Sequence, residues 1–144
     1  MNFLDTWRKR QATARSTAVH TSDDSDQEGL GELLAECELL RVRAAQYGLE
    51  LDDSPASLEA LDQLPPSWRD DPEELPWFGN DAGLYLGTVI VRTVPGAHWH
   101  LWPSGTPVVM LACGRDIDVV GAGLEWAATG APELTQVYAE TSEA

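Results

Sequence analysis

Residues 80–94 constrain what this chain can fold into more than any other stretch. Leu84, Tyr85, Leu86, Val89, Ile90 and Val91 would cover most of the circumference of a helix, and no charged residue intervenes between Asp81 and Arg92. An element that is apolar on most sides has to be enclosed by the rest of the chain. The β-branched run Thr88, Val89, Ile90, Val91 would equally suit a buried strand. The length of the segment, Asn80 and Asp81 as cap residues and the stop at Pro95-Gly96 favour a helix, which then becomes the central element. Gly79, Gly83 and Gly87 repeat every four residues and would let a second helix approach closely. As a phosphate loop they have the wrong spacing and no Lys.

The flanking segments supply the cover. Over residues 28–47, Leu30, Leu33, Leu34, Cys37, Leu40, Ala44 and Tyr47 recur at steps of three and four, predicting one amphipathic helix with Gly48 as its C′ residue. Leu39 and Val42 fall off that stripe. A shorter helix is expected from Ser54 as N-cap and Pro55 at N1, burying Leu58, Leu61 and Leu64 before Pro65-Pro66. Residues 67–79 lack a period and read as a structured loop. AHWHLW and PVVMLAC alternate at period two around PSGT, a hairpin. A four-residue loop over 103–106 pairs Trp102 with Pro107, His100 with Val109 and His98 with Leu111. Trp99, Leu101, Val108 and Met110 then form the face packed on the helices, and the histidine face is half-exposed. Residues 118–129 and 132–141 read as two closing helices, with Pro132 at N1 of the last.

The expected architecture is therefore a single small α+β domain over residues 27–141, with four or five helices packed on a short antiparallel β-hairpin and a brief tail at 142–144. A chain of 144 residues is long enough to bury such a core. Residues 1–26 differ in kind. Phe3, Leu4 and Trp7 stand at helical spacing before Arg8, Lys9 and Arg10, a short basic amphipathic arm, and residues 16–29 have the composition of a flexible linker.

Charge narrows the function. The formal net charge is −15, and Arg8, Lys9, Arg10 and Arg15 against Asp5 give residues 1–19 a local +3, which leaves −18 on the remainder. Phosphate backbones are held by clustered Lys and Arg, so a nucleic-acid partner is not expected. Cys37 and Cys113 form no CxxC pair, and no apolar run fits a signal peptide or a membrane span, which together suit a reducing cytoplasm.

The run from PASLEALDQLPPSWRDDPEELPWFGNDAGLYLGTVIVRTVPGAHWHLWPSGTPVVM to GLEWAATG, preceded by WRKR and LLAECELLRVRA, resembles a family of small actinobacterial proteins with no assigned function. The order of YLG, a β-branched run, W and G-x-P-V-V is similar to other bacterial domains of unknown function. That resemblance implies a helix at Tyr85-Leu86-Gly87 ahead of a hairpin, and brings no catalytic residue with it.

Few constellations carry chemistry. His98 and His100 project from one face of a strand and could begin a metal site, with Cys113, Asp116 or Asp118 as a third ligand. Cys113 reads better as strand and the two Asp as helix caps, so no metal and no cofactor are expected. Cys37 reads as a core residue, and Ser104-Gly105 as turn chemistry rather than a nucleophile elbow. Trp68, Trp77 and Phe78 beside Asp70, Asp71, Glu73 and Glu74 either cap the core or form a partner-binding loop. Phe3, Trp7, Arg8, Lys9 and Arg10 would give weak contact with an anionic membrane, dock on an acidic partner or fold back on the acidic body, or form an inert solvated tail. The reading that follows is a non-catalytic protein-interaction module with an unknown protein partner. The alternative is a small-molecule-binding or hydrolytic domain using His98, His100 and Asp116.

Overall fold

A computed structural model describes residues 24–143, with side chains from residue 29. These form six α-helices, a 3-10 turn and a three-stranded antiparallel sheet, a small α+β domain. In chain order they are α1 (Asp24–Leu34), α2 (Glu38–Gln46), α3 (Pro55–Asp62), the 3-10 turn (Ser67–Asp70), α4 (Glu74–Thr93), β1 (His98–Leu101), β2 (Pro107–Met110), β3 (Asp116–Ile117), α5 (Val119–Thr129) and α6 (Leu134–Ser142). The basic arm of residues 1–19 lies outside the described residues.

The expected central helix is α4. Every residue from 81 to 90 is buried, and α1, α2, α5, α6 and the sheet all pack on it. It begins earlier than Asn80 and Asp81 suggest, because Asp71 Oδ1 accepts the N–H groups of Glu73 at 3.0 Å and Glu74 at 3.1 Å and so caps it. Trp77 and Phe78 are therefore helical, and the expected loop over 67–79 resolves into the 3-10 turn and the first turns of α4. The glycine repeat does bring a helix close. A Cβ on Gly123 of α5 would stand 2.2 Å from Gly83 N and 2.4 Å from Gly79 O. Gly87 instead makes room for the indole of Trp99, whose Cη2 would lie 2.3 Å from a Cβ there.

The single helix expected over 28–47 is two helices. Cys37 adopts a left-handed conformation, φ 40, and no side chain of its own caps α2. Asp81 of α4 takes that role, with Oδ2 accepting the Leu40 N–H at 3.1 Å. On the other side of the break Arg41 donates to Ala35 O at 2.8 Å, Glu36 O at 2.9 Å and Leu51 O at 2.9 Å, holding the end of α1. These long-range contacts outweigh a smooth local periodicity. The new phase buries Leu39, Leu40 and Ala44 and leaves Tyr47 44% exposed, while Gly48, φ 77, ends α2 as expected. α1 also begins at Asp24, so residues 24–29 are helix rather than linker. Their acids sit at a helix N-terminus, where the macrodipole favours negative charge.

α3 forms as expected, with Pro55 at N1 and Ser54 Oγ accepting the Ser57 N–H at 3.2 Å. The last helix starts at Leu134, beyond Pro132, because Asp62 of α3 accepts its first donors, Leu134 N at 2.9 Å and Thr135 N at 3.1 Å. The hairpin register is shifted by one. Trp102 N donates to Thr106 O at 3.0 Å, closing the loop on Pro103, Ser104 and Gly105, with Gly105 at φ 87. A three-residue loop with a left-handed glycine is a favoured hairpin closure. Trp99 therefore pairs with Val109 and His98 with Met110, and Val108 and Met110 move to the histidine side. The core side is Trp99, Leu101, Val109 and Ile117. β3, which the hairpin reading lacks, pairs with β2 through Val109 and Met110. Among the described residues, no helix is long and apolar enough to cross a membrane.

Candidate functional site

The outer side of the sheet gathers the chain's uncommitted chemistry. Alternation along β1 puts His98, His100 and then Trp102 on one side, and register extends this side through Met110 of β2 to Asp116 of β3. Both histidines are exposed and Met110 is half-buried. Trp102 Nε1 donates to Asp116 Oδ2 at 3.1 Å, so the indole spans from the hairpin loop to β3. Val108, on the same side between them, has no exposed surface. The result is a mixed imidazole, indole and thioether surface with one carboxylate, carried on three hydrogen-bonded strands.

A groove of about 340 Å³ adjoins this surface where β1 meets α1 and α4. His98 and Trp99 form one wall, Thr88, Val91 and Arg92 the floor, and Gly31 and Glu32 the opposite wall. Arg92 also forms an ion pair with Asp53, which pairs with Arg41 at 3.2 Å as well. Asp53 itself has φ 63, and its N–H donates to Tyr85 Oη at 2.9 Å. Tyr85 Oη and Ser57 Oγ are 2.6 Å apart. Burial raises the Tyr85 pKa and the Ser57 hydrogen bond opposes that rise. This network is closed on itself and braces the side of the groove.

A second groove of about 450 Å³ lies between α3, α5 and α6, walled by Trp68, Trp126, Arg69, Asp62 and Glu133. Trp68, Arg69 and Asp62 are already engaged. Arg69 Nε and Trp68 Nε1 both donate to Ala127 O at 2.9 Å, closing the C-terminal end of α5, and Asp62 caps α6.

The whole chain, residues 1–144, matches a family of unknown function (DUF6278). The chain belongs to that family. No curated protein and no solved structure matches it. The functional reading of this DUF6278 chain rests on its own geometry.

Of the residues singled out in sequence, His98 and His100 come together on the outer face. Asp116 shares that face but is held by Trp102, and His98 Nδ1 lies 3.2 Å from Gly96 O. Among the described residues, no group of three His, Cys, Asp or Glu is placed to hold a metal. Trp68 and Phe78 are core: their rings stack at 4.3 Å between centroids, and Trp126 lies 5.3 Å from Trp68. At 3% and 0% exposure they follow the core-capping alternative for their loop. Trp77 is half-buried on the first turn of α4. Phe3, Trp7, Arg8, Lys9 and Arg10 lie outside the described residues. Cys37 is fully buried, and burial first, then the Asp81 carboxylate, push its thiol well above the usual range, so it stays protonated and donates to Leu34 O at 3.3 Å. Sequence reasoning missed Met110, Glu32 and Arg92. Met110 was hidden by the one-residue register shift, and the other two reach the groove only through tertiary packing.

Proposed function

We propose that this domain is a non-catalytic, cytoplasmic protein-interaction module that receives a basic protein surface on the outer side of its sheet. The supporting observation is how the arginines are used. Arg41 and Arg92 pair with Asp53, Arg43 forms a two-pronged pair with Glu74, and Arg69 is bound to backbone carbonyls at the end of α5. These four arginines are engaged and the fifth among the described residues, Arg115 beside Asp116, is exposed, so carboxylates still outnumber cations on the surface, consistent with −18 outside residues 1–19. Such a field attracts and orients basic partners and repels nucleic acid and anionic lipid. The exposed His98 and His100 and the half-buried Trp102 and Met110 add the aromatic and thioether groups that anchor protein interfaces.

A purified full-length chain, immobilised and exposed to the soluble proteins of its own cell, tests this. The reading expects capture of a basic protein that His100→Arg or Trp102→Ala abolishes, that Glu59→Arg on α3 leaves in place, and that added salt weakens. Capture that none of the outer-face variants alters contradicts it. The second reading, a small-molecule site, is supported by the volume of the His98 groove, which falls in the range of ligand pockets. Of His98, His100 and Asp116, only His98 lines that groove. A thermal-shift screen of small metabolites whose hits vanish in His98→Ala would favour it.

A further inference from the structure

The groove between α1, α4 and β1 is open and mostly apolar, and no described element closes it. Val91 and the edge of the otherwise buried Trp99 ring provide its apolar surface, Glu32 stands at its edge, and the neighbouring cation Arg92 is paired with Asp53, which it shares with Arg41. Gly31 provides no side chain on the α1 wall: a Cβ there would find only the Trp99 ring edge at 3.8 Å and otherwise open space. The same helix, α1, is where residues 1–23 join the domain. That segment carries Phe3, Leu4 and Trp7 followed by Arg8, Lys9 and Arg10.

We infer that the groove is the docking site of this chain's own N-terminal segment, with the Trp7 side chain in the groove and the following cations against Glu32 and the acidic body. Three arguments select this occupant. The first is charge: the segment is the one strongly basic stretch of the chain, and the body it would meet carries −18. The second is reach. Gly31 lies roughly 10 Å along α1 from Asp24 at 1.5 Å per residue, and residues 11–23 span roughly 20 Å even at coil dimensions. The third is concentration, since a short tether presents its own segment at an effective millimolar level that a separate peptide of similar affinity does not match. The inference stands apart from the partner reading, because the groove and the outer face of the sheet share only His98.

The test uses the full-length chain. An indole in the groove shifts the methyl resonances of Val91 and Thr88 and the imidazole resonances of His98 through its ring current. In Trp7→Ala these resonances should move by several linewidths, while Ala60, on α3, stays in place. Gly31→Leu, which fills the groove from the α1 wall, should move the Trp7 indole N–H resonance to the position it has in an isolated peptide of residues 1–20. Unmoved Val91 and Thr88 methyls in Trp7→Ala overturn the inference, as does a Trp7 resonance indifferent to Gly31→Leu. Vesicles of phosphatidylcholine and phosphatidylserine separate the competing use of the arm. If they broaden the Trp7 signal without any change at Val91 and Thr88, the segment serves a membrane and the groove is not its site.

Discussion

Trp102 and Asp116 are joined by a 3.1 Å hydrogen bond that crosses β2 on the outer side of the sheet. The bond fixes an aromatic ring on the same side of the sheet as Val108, which has no exposed surface. Trp102→Ala should therefore lower stability by about 2 kcal/mol through exposure of apolar surface. Asp116→Asn, which keeps an acceptor, should cost less than about 1 kcal/mol. Urea denaturation of the two variants checks the order, and equal losses would mean that the indole covers nothing.

The seam between α4 and α5 makes a sharper prediction. Gly123→Ala places a methyl group 2.2 Å from Gly83 N, a backbone atom, so the helices must part. The expected loss is about 1–3 kcal/mol or more. Gly29→Ala, in α1 with nothing within 4 Å, should instead gain up to about 1 kcal/mol from helix propensity. Thermal melts of the pair should move in opposite directions.

The break at Cys37 divides a stripe that looks continuous in sequence. Leu40 has no exposed surface and Leu33 is half-buried. Leu40→Ala should cost about 2–5 kcal/mol, and Leu33→Ala nearer about 1 kcal/mol. A single unbroken helix would make the two losses equal.

Alkali should destabilise the domain. Burial raises the pKa of both Cys37 and Tyr85 above their unfolded values. The unfolded chain therefore loses its protons first, and the stabilising contribution is complete below the unfolded thiol pKa of about 8.5 and declines as pH rises past it. Stability measured from pH 7 to 10 should fall, and Cys37→Ala should flatten the first part of that fall. A thiol reagent at neutral pH should label the exposed Cys113 and leave Cys37 unmodified until the protein unfolds.

How much of this was legible in the sequence depends on the range of the forces involved. α3 with its Ser54 cap, the central burial of α4 and the glycine approach follow from local patterns and are found as read. The boundaries that differ are set by residues distant in sequence. Asp81 caps α2 from α4, and Asp62 caps α6 from α3, so the helix starts at residues 38 and 134 have no local signal. The hairpin faces turned on one residue of loop length, decided by the left-handed Gly105. His98 and His100 could be placed on one face from period two alone. Met110 and the groove at Glu32 and Arg92 could not, because they depend on register and on packing between helix and strand.

The most direct test of the central claim is site-specific photo-crosslinking in the cell of origin, with a photoreactive residue at His100 on the outer face and, as control, at Glu59 on α3. The account predicts a covalent adduct with a basic protein from position 100, lost when Trp102 is also replaced by Ala, and no such adduct from position 59. Equal labelling from both positions, or an adduct from position 100 with nucleic acid or an acidic protein, would contradict it.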